Sequence, residues 1–258
     1  ITTGGMATKM IYDGAGRVSA TYTTDGGAVY NSGTPVLTWS AAGSVTNDIV
    51  LEQAEYTYDA DGDVIMTTDR QRFHDDGTTT GALGTASSGT HARVSYSVSY
   101  YDAANRTTAT VNVGTNGGSS YTRPGSAPSR SDTALVTSYD YNAAGEADVV
   151  TDPRGIQSKT WYDNLGQTLF TVQDWDGSYD PTASGALPPA VGVGETHIDQ
   201  TTGYTYDSGG NETSVTAVMP SGTHSQTTAY IYGVTKGTNA GFSSNDVLLK
   251  VEYPSKTT

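Results

Sequence analysis

Ser138 to Gln167 reads SYDYNAAGEADVVTDPRGIQSKTWYDNLGQ. One short phrase occurs in it twice, as Tyr141-Asn142-Ala143-Ala144-Gly145-Glu146 and as Tyr162-Asp163-Asn164-Leu165-Gly166-Gln167, with the tyrosines 21 residues apart (162 − 141). An aromatic residue, a turn-forming Asp or Asn, two variable residues, a glycine and a polar residue read as a strand end, a tight turn and the start of the next strand.

Working outward, the phrase returns as Tyr12-Asp13-Gly14-Ala15-Gly16-Arg17, Tyr58-Asp59-Ala60-Asp61-Gly62-Asp63, Tyr101-Asp102-Ala103-Ala104-Asn105-Arg106 and Tyr206-Asp207-Ser208-Gly209-Gly210-Asn211, with a decayed Tyr232-Gly233. Successive differences between tyrosines 12, 58, 101, 141, 162, 206 and 232 are 46, 43, 40, 21, 44 and 26. Self-similarity of this kind marks a repeat architecture. The wider spacings predict a degenerate unit or an insertion between clear copies.

Each position of the phrase has a physical role. The second-position carboxylate or amide bonds the backbone two residues on and starts the turn, and the fifth-position Gly or Asn accepts positive φ. Strands are expected on either side. Val94, Tyr96, Val98 and Tyr100 alternate with serines in a period of two. Tyr-x-Tyr pairs at Tyr56/Tyr58, Tyr139/Tyr141, Tyr204/Tyr206 and Tyr230/Tyr232 fall on one strand face, which predicts aligned rings gluing neighbouring strands.

Composition agrees with an all-β chain. Hydrophobic residues make up only 35%, with 18 Tyr against 3 Phe and 31 Gly, so tyrosine rings must supply much of the packing and no helical stretch stands out. The net charge of −14 argues against nucleic acid or an anionic membrane surface as a partner. No run of apolar residues is long enough to span a bilayer, and Ile1 to Met10 lacks the regions of a signal peptide, so the chain reads as a processed product or a segment of something longer. With no cysteine, disulfides and thiol chemistry are excluded. Four stretches, Thr23 to Pro35, Asp75 to His91, Val113 to Asp132 and Asp174 to Thr202, are rich in Gly, Ser, Thr and Pro and read as surface excursions or partly disordered loops. Strand phrases resume after each, so residues 1–258 are expected to form a single continuous scaffold.

Tyr12 to Arg17, and the run Thr151-Asp152-Pro153-Arg154-Gly155 leading through Lys159-Thr160-Trp161 into Tyr162 to Gln167, resemble the YD-repeat, or RHS-repeat, family. The resemblance covers essentially the whole chain. It implies hairpin repeats in a continuous spiralling sheet, solenoid-like or shell-like, of the kind found in very large secreted or surface proteins of bacteria and in animal teneurins. In that family the sheet often forms a hollow shell that can enclose a C-terminal toxin. This sequence departs from the pattern in having Asn142 for Asp and sixth positions of Arg, Asp, Arg, Glu, Gln and Asn. No stretch matches the family's core region with its autocleavage site.

Candidate chemistry is sparse. Asp59, Asp61 and Asp63 surround Gly62 with oxygen ligands that could hold calcium, but no Glu follows at the EF-hand position, and a turn with solvated acids is the favoured reading. His74, His91, His197 and His224 are scattered, without zinc spacing, and no serine sits in a nucleophile elbow. Asn105-Arg106-Thr107 and Asn211-Glu212-Thr213 match the N-glycosylation acceptor pattern. No cofactor is expected.

The sequence therefore predicts a scaffold without catalytic activity, part of an exported bacterial protein at the cell surface or outside the cell. Its partners would be further YD repeats or copies of itself. Neither end reads as a cap, which favours a filament; a shell wall around a toxin cargo and a glycan-binding adhesion module are the alternatives.

Overall fold

The computed structural model describes residues 6–26, 29–31, 34–36, 43–76, 79–84, 91–188, 199–221, 224–237 and 242–254. The chain is all-β, as expected, with one short 3-10 turn, Asn116–Gly118, among the described residues, and in the main sheet the strands follow one another in chain order. It divides into two compact units, Ile1–Ser138 and Tyr139–Thr258.

In the first unit, β1 (Ala7–Tyr12) and β2 (Val18–Thr24) are followed by a separate ribbon of β3 (Val29–Asn31) and β4 (Thr34–Val36). The meander resumes with β5 (Val50–Tyr58), β6 (Val64–Arg72), β7 (Ala92–Tyr101), β8 (Thr107–Gly114) and the first residues of β9 (Leu135–Tyr141), all antiparallel to their neighbours. The second unit takes up the end of β9 and runs through β10 (Ala147–Thr151), β11 (Gln157–Tyr162), β12 (Thr168–Gln173), β13 (Gln200–Tyr206), β14 (Glu212–Val218), β15 (Gln226–Val234) and β16 (Ser244–Glu252).

In such a meander, alternate connections fall at alternate strand ends. The phrase turns 13–17, 59–63 and 102–106 therefore share one end of the first unit, and its long connections share the other. In the second unit, turns 142–146, 163–167 and 207–211 share an end, opposite turn 152–156 and the connections after Gln173 and Val218. The irregular spacing follows. The 21-residue interval is two strands joined by a tight turn at 152–156, and the longer intervals have a longer connection at that same place.

Alternation places the core on one face. Along β7, Val94, Tyr96, Val98 and Tyr100 are buried, and they pack with Ala109, Val111 and Val113 of β8 and Val136 of β9. The excursions cover this face. Tyr121 lies with its ring 5.8 Å from that of Tyr96, and the Arg123 guanidinium sits 4.1 Å over the Tyr100 ring while donating to the Ser99 carbonyl. Leu83, 1% exposed, packs with Val50 and Ala92, and its backbone N–H donates to the Gln53 side chain. These segments read as loops in sequence, but where described they form a second layer that keeps apolar surface from water.

A basic residue pins each covering segment. Lys9, nearly buried, donates to the Ser44 carbonyl (2.8 Å) and pairs with Asp48 (2.7 Å). Arg72 donates to the Thr79 carbonyl (2.8 Å) and pairs with Asp76 (3.3 Å). In the second unit the Lys159 ammonium lies 5.3 Å from the Trp161 ring and 4.7 Å from that of Trp175, which meets Trp161 edge-on. Lys159 thereby fixes the start of the connection after β12 on a face that also buries Val149 and Val172. Buried or half-buried cations of this sort need such partners to offset lost hydration.

Candidate functional site

The residues that the sequence singles out lie in six turns, and the turns share one hydrogen-bond plan. In the first, the Asp13 N–H donates to the Arg17 carbonyl (2.8 Å), the Gly16 N–H donates to the Asp13 carbonyl (3.0 Å), and Asp13 Oδ1 accepts from the N–H groups of Ala15 and Arg17. Asp102, Asn142, Asp163 and Asp207 accept from the corresponding backbone groups. The fifth position carries positive φ in all six: Gly16, Gly62, Asn105, Gly145, Gly166 and Gly210. In five copies one extra residue of the returning strand, Ser19, Ile65, Thr108, Leu169 or Thr213, is skipped by the register, a bulge that increases local twist.

In four of the six copies a side-chain bond between the second and sixth positions closes the turn. Arg17 Nε and Arg106 Nε each donate to the second-position carboxylate at 2.8 Å. Asn211 does so from its amide to Asp207 (3.0 Å). At Asn142 the polarity is reversed, and its amide donates to the Glu146 carboxylate (2.8 Å). The backbone N–H and then the side chain of Arg17 hold the Asp13 carboxyl below the usual carboxylate range; the Arg106 side chain does the same for Asp102 and that of Asn211 for Asp207.

Two contacts pass from one hairpin to the next. The hydroxyl of the leading tyrosine donates to the first carbonyl after the preceding turn: Tyr58 to Val18 (2.6 Å), Tyr101 to Val64 (3.0 Å), Tyr162 to Ala147 (2.9 Å) and Tyr206 to Thr168 (3.0 Å). At Tyr58 and Tyr206, two of the residues expected in tyrosine ladders, the hydroxyl adds a stitch to the preceding hairpin, because a half-buried phenol must satisfy its polar end. The sixth-position side chain also leans over the next turn. Arg17 sits 4.3 Å over the Tyr58 ring, and a β-carbon added at Gly166 would stand 2.8 Å from Glu146 Oε1 and one at Gly210 3.3 Å from Gln167 Nε2. Tyr12, in the outermost strand, is 57% exposed.

The calcium candidate, Asp59, Asp61 and Asp63, lies in one of these turns. Asp59 Oδ1 is taken up by the N–H groups of Asp61, Gly62 and Asp63, and Asp61 faces solvent. Among the described residues, no three acidic or histidine side chains gather into a group that could hold a metal ion. His91 pairs with Asp76, His74 and His224 are exposed, and His197 lies outside the described residues. Of the two glycosylation candidates, Asn105 is exposed at a positive φ of 58°, whereas the Asn211 amide is engaged by Asp207.

The run Thr151 to Gly155 holds one further copy, without the leading tyrosine. Asp152 to Ile156 forms the same turn, with the Asp152 N–H donating to the Ile156 carbonyl (2.9 Å), Gly155 at positive φ and Arg154 Nε on the Asp152 carboxylate (2.8 Å). Its Asp and Gly stand at the phrase positions, but Thr151 replaces the tyrosine.

No family model matches the chain, and no curated protein matches it. Among solved structures it is similar to TcdB2-TccC3 (14% identity, TM-score 0.34, covering 87% of this chain and 12% of that one). It is similar also to TcdB2-TccC3-Cdc42 (13% identity, TM-score 0.34, 87% and 12%). A Photorhabdus luminescens Tc holotoxin pore gives 13% identity and a TM-score of 0.34, with 89% of this chain and 12% of that one covered. The chain thus spans about an eighth of the length of these chains. Similarity at this level carries no argument.

Proposed function

We propose that the chain is a non-catalytic structural scaffold, part of an exported bacterial protein at the cell surface or outside the cell, which extends by adding hairpins of the same kind to a continuous antiparallel sheet. The observation that carries the reading is the use of the motif itself. The turn residues close turns, and Tyr58, Tyr101, Tyr162 and Tyr206 each tie one hairpin to its predecessor, so the repeated groups are committed to propagation. The outer strand β16 exposes Val247, Leu248 and Leu249, apolar surface that another hairpin would cover. Successive stitched hairpins form either a filament or the wall of a larger shell, and the filament is our first choice. Electron microscopy of native material tests this: extended fibres are expected, closed shells would replace the filament by the wall, and discrete single-chain particles in the native protein would overturn the scaffold reading.

A further inference from the structure

A row of side chains crosses the first unit on the face opposite Val94 and Tyr96. Register sets it: Thr8 faces Thr23, Thr23 faces Glu52, Glu52 faces Gln71 and Gln71 faces Arg93. Directly paired residues on adjacent strands share a face, as do residues two apart on one strand. A second row, with Ala54, Asp69 and Ser95 in register, therefore runs parallel to the first on the same surface. Between them lies a trough of about 500 Å³ lined by residues of both rows. Crossing five strands, it extends on the order of 20 Å.

The chemistry of the trough is uniform in kind. Every side chain of the first row bears hydrogen-bonding groups, from the hydroxyls of Thr8 and Thr23 through the Glu52 carboxylate and Gln71 amide to the Arg93 guanidinium. The small Ala54 leaves room at the centre, and Asp69 adds a second carboxyl beside it, which burial pushes up. Two acids against one guanidinium disfavour a polyanion, and the charged groups of Glu52, Asp69 and Arg93 along the trough disfavour a lipid. Planar carboxylate, amide and guanidinium groups each engage two adjacent polar atoms, which matches the neighbouring hydroxyls of a sugar ring.

We infer that this trough binds a linear oligosaccharide laid across the strands, with Glu52, Gln71 and Arg93 bonding successive rings. The inference is independent of the scaffold reading, since the trough lies within one unit and its occupancy does not depend on assembly.

The test applies the 258-residue chain to an array of linear oligosaccharides and follows each binder by titration calorimetry. The expected result is saturable binding that weakens about tenfold or more, some 1.4 kcal/mol, when Gln71→Ala and Arg93→Ala are combined, with an unchanged melting curve. Ala54→Trp, which fills the trough, is expected to abolish binding. Absence of binding to any linear glycan, or binding that persists in the Gln71→Ala/Arg93→Ala variant, overturns the inference.

Discussion

The Asn142 amide donates to the Glu146 carboxylate at 2.8 Å, where the equivalent pair in the first turn is an arginine, Arg17, donating to Asp13. Donor and acceptor have exchanged ends of the turn, and the bond is kept. The second-position residue still accepts the backbone N–H groups, because an amide oxygen does this as well as a carboxylate.

Reversing one member alone should therefore break the turn's closure. Asn142→Asp sets two carboxylates against each other and is expected to cost about 1 kcal/mol, while Asn142→Asp with Glu146→Arg restores stability. Urea unfolding of the wild type, both single variants and the double variant measures the coupling; additive effects would contradict it.

Gly166 combines a positive φ of 78° with the close approach of Glu146, whereas Gly155 has φ of 88° and open space around it. Gly155→Ala should cost about 1 kcal/mol for its backbone conformation, and Gly166→Ala should cost more. Truncating Glu146 to alanine in the Gly166→Ala background should recover the excess. Equal destabilisation at the two glycines, measured by chemical unfolding, would remove the role assigned to Glu146.

The legible part of the fold was local. Asp and Gly of each phrase bond within four residues, so spacing alone reveals them, and the alternation of Val94 to Tyr100 marks its own buried face. The turn at Asp152 lay in the same quoted stretch but lost its tyrosine, and only the Asp-to-Gly interval still signalled it. What no local pattern carries is the covering layer. Lys9 reaches Ser44 across 35 residues and Arg123 reaches Ser99 across 24, and such contacts depend on which connection folds back over which strand. The tyrosines stand out in the sequence, but a ring that packs and a ring that stitches through its hydroxyl have the same spacing.

Lys159 holds Trp175 against Trp161, so Lys159→Ala should release the segment that follows β12. Faster limited proteolysis between Gln173 and Pro188 is expected, with a change in tryptophan fluorescence and a loss of about 1 kcal/mol. Unchanged cleavage kinetics would show that Trp175 is held by other contacts.

The carboxyls of Asp13, Asp102 and Asp207 sit below the ordinary range in the folded chain. A depressed folded value means that the stabilisation is present above the unfolded value, about 4, and is lost as pH falls through the folded one. The melting temperature should drop on acidification below about pH 4. Replacing all three with Asn should flatten that drop; an equally steep fall in the triple variant would contradict the assignment.

The central claim is that tyrosine hydroxyls join successive hairpins. Changing Tyr58, Tyr101, Tyr162 and Tyr206 together to phenylalanine removes four bonds and keeps every ring. Urea unfolding of this variant is expected to show a loss of several kcal/mol, roughly 1 kcal/mol for each bond. An unfolding curve superimposable on that of the parent chain would contradict the claim.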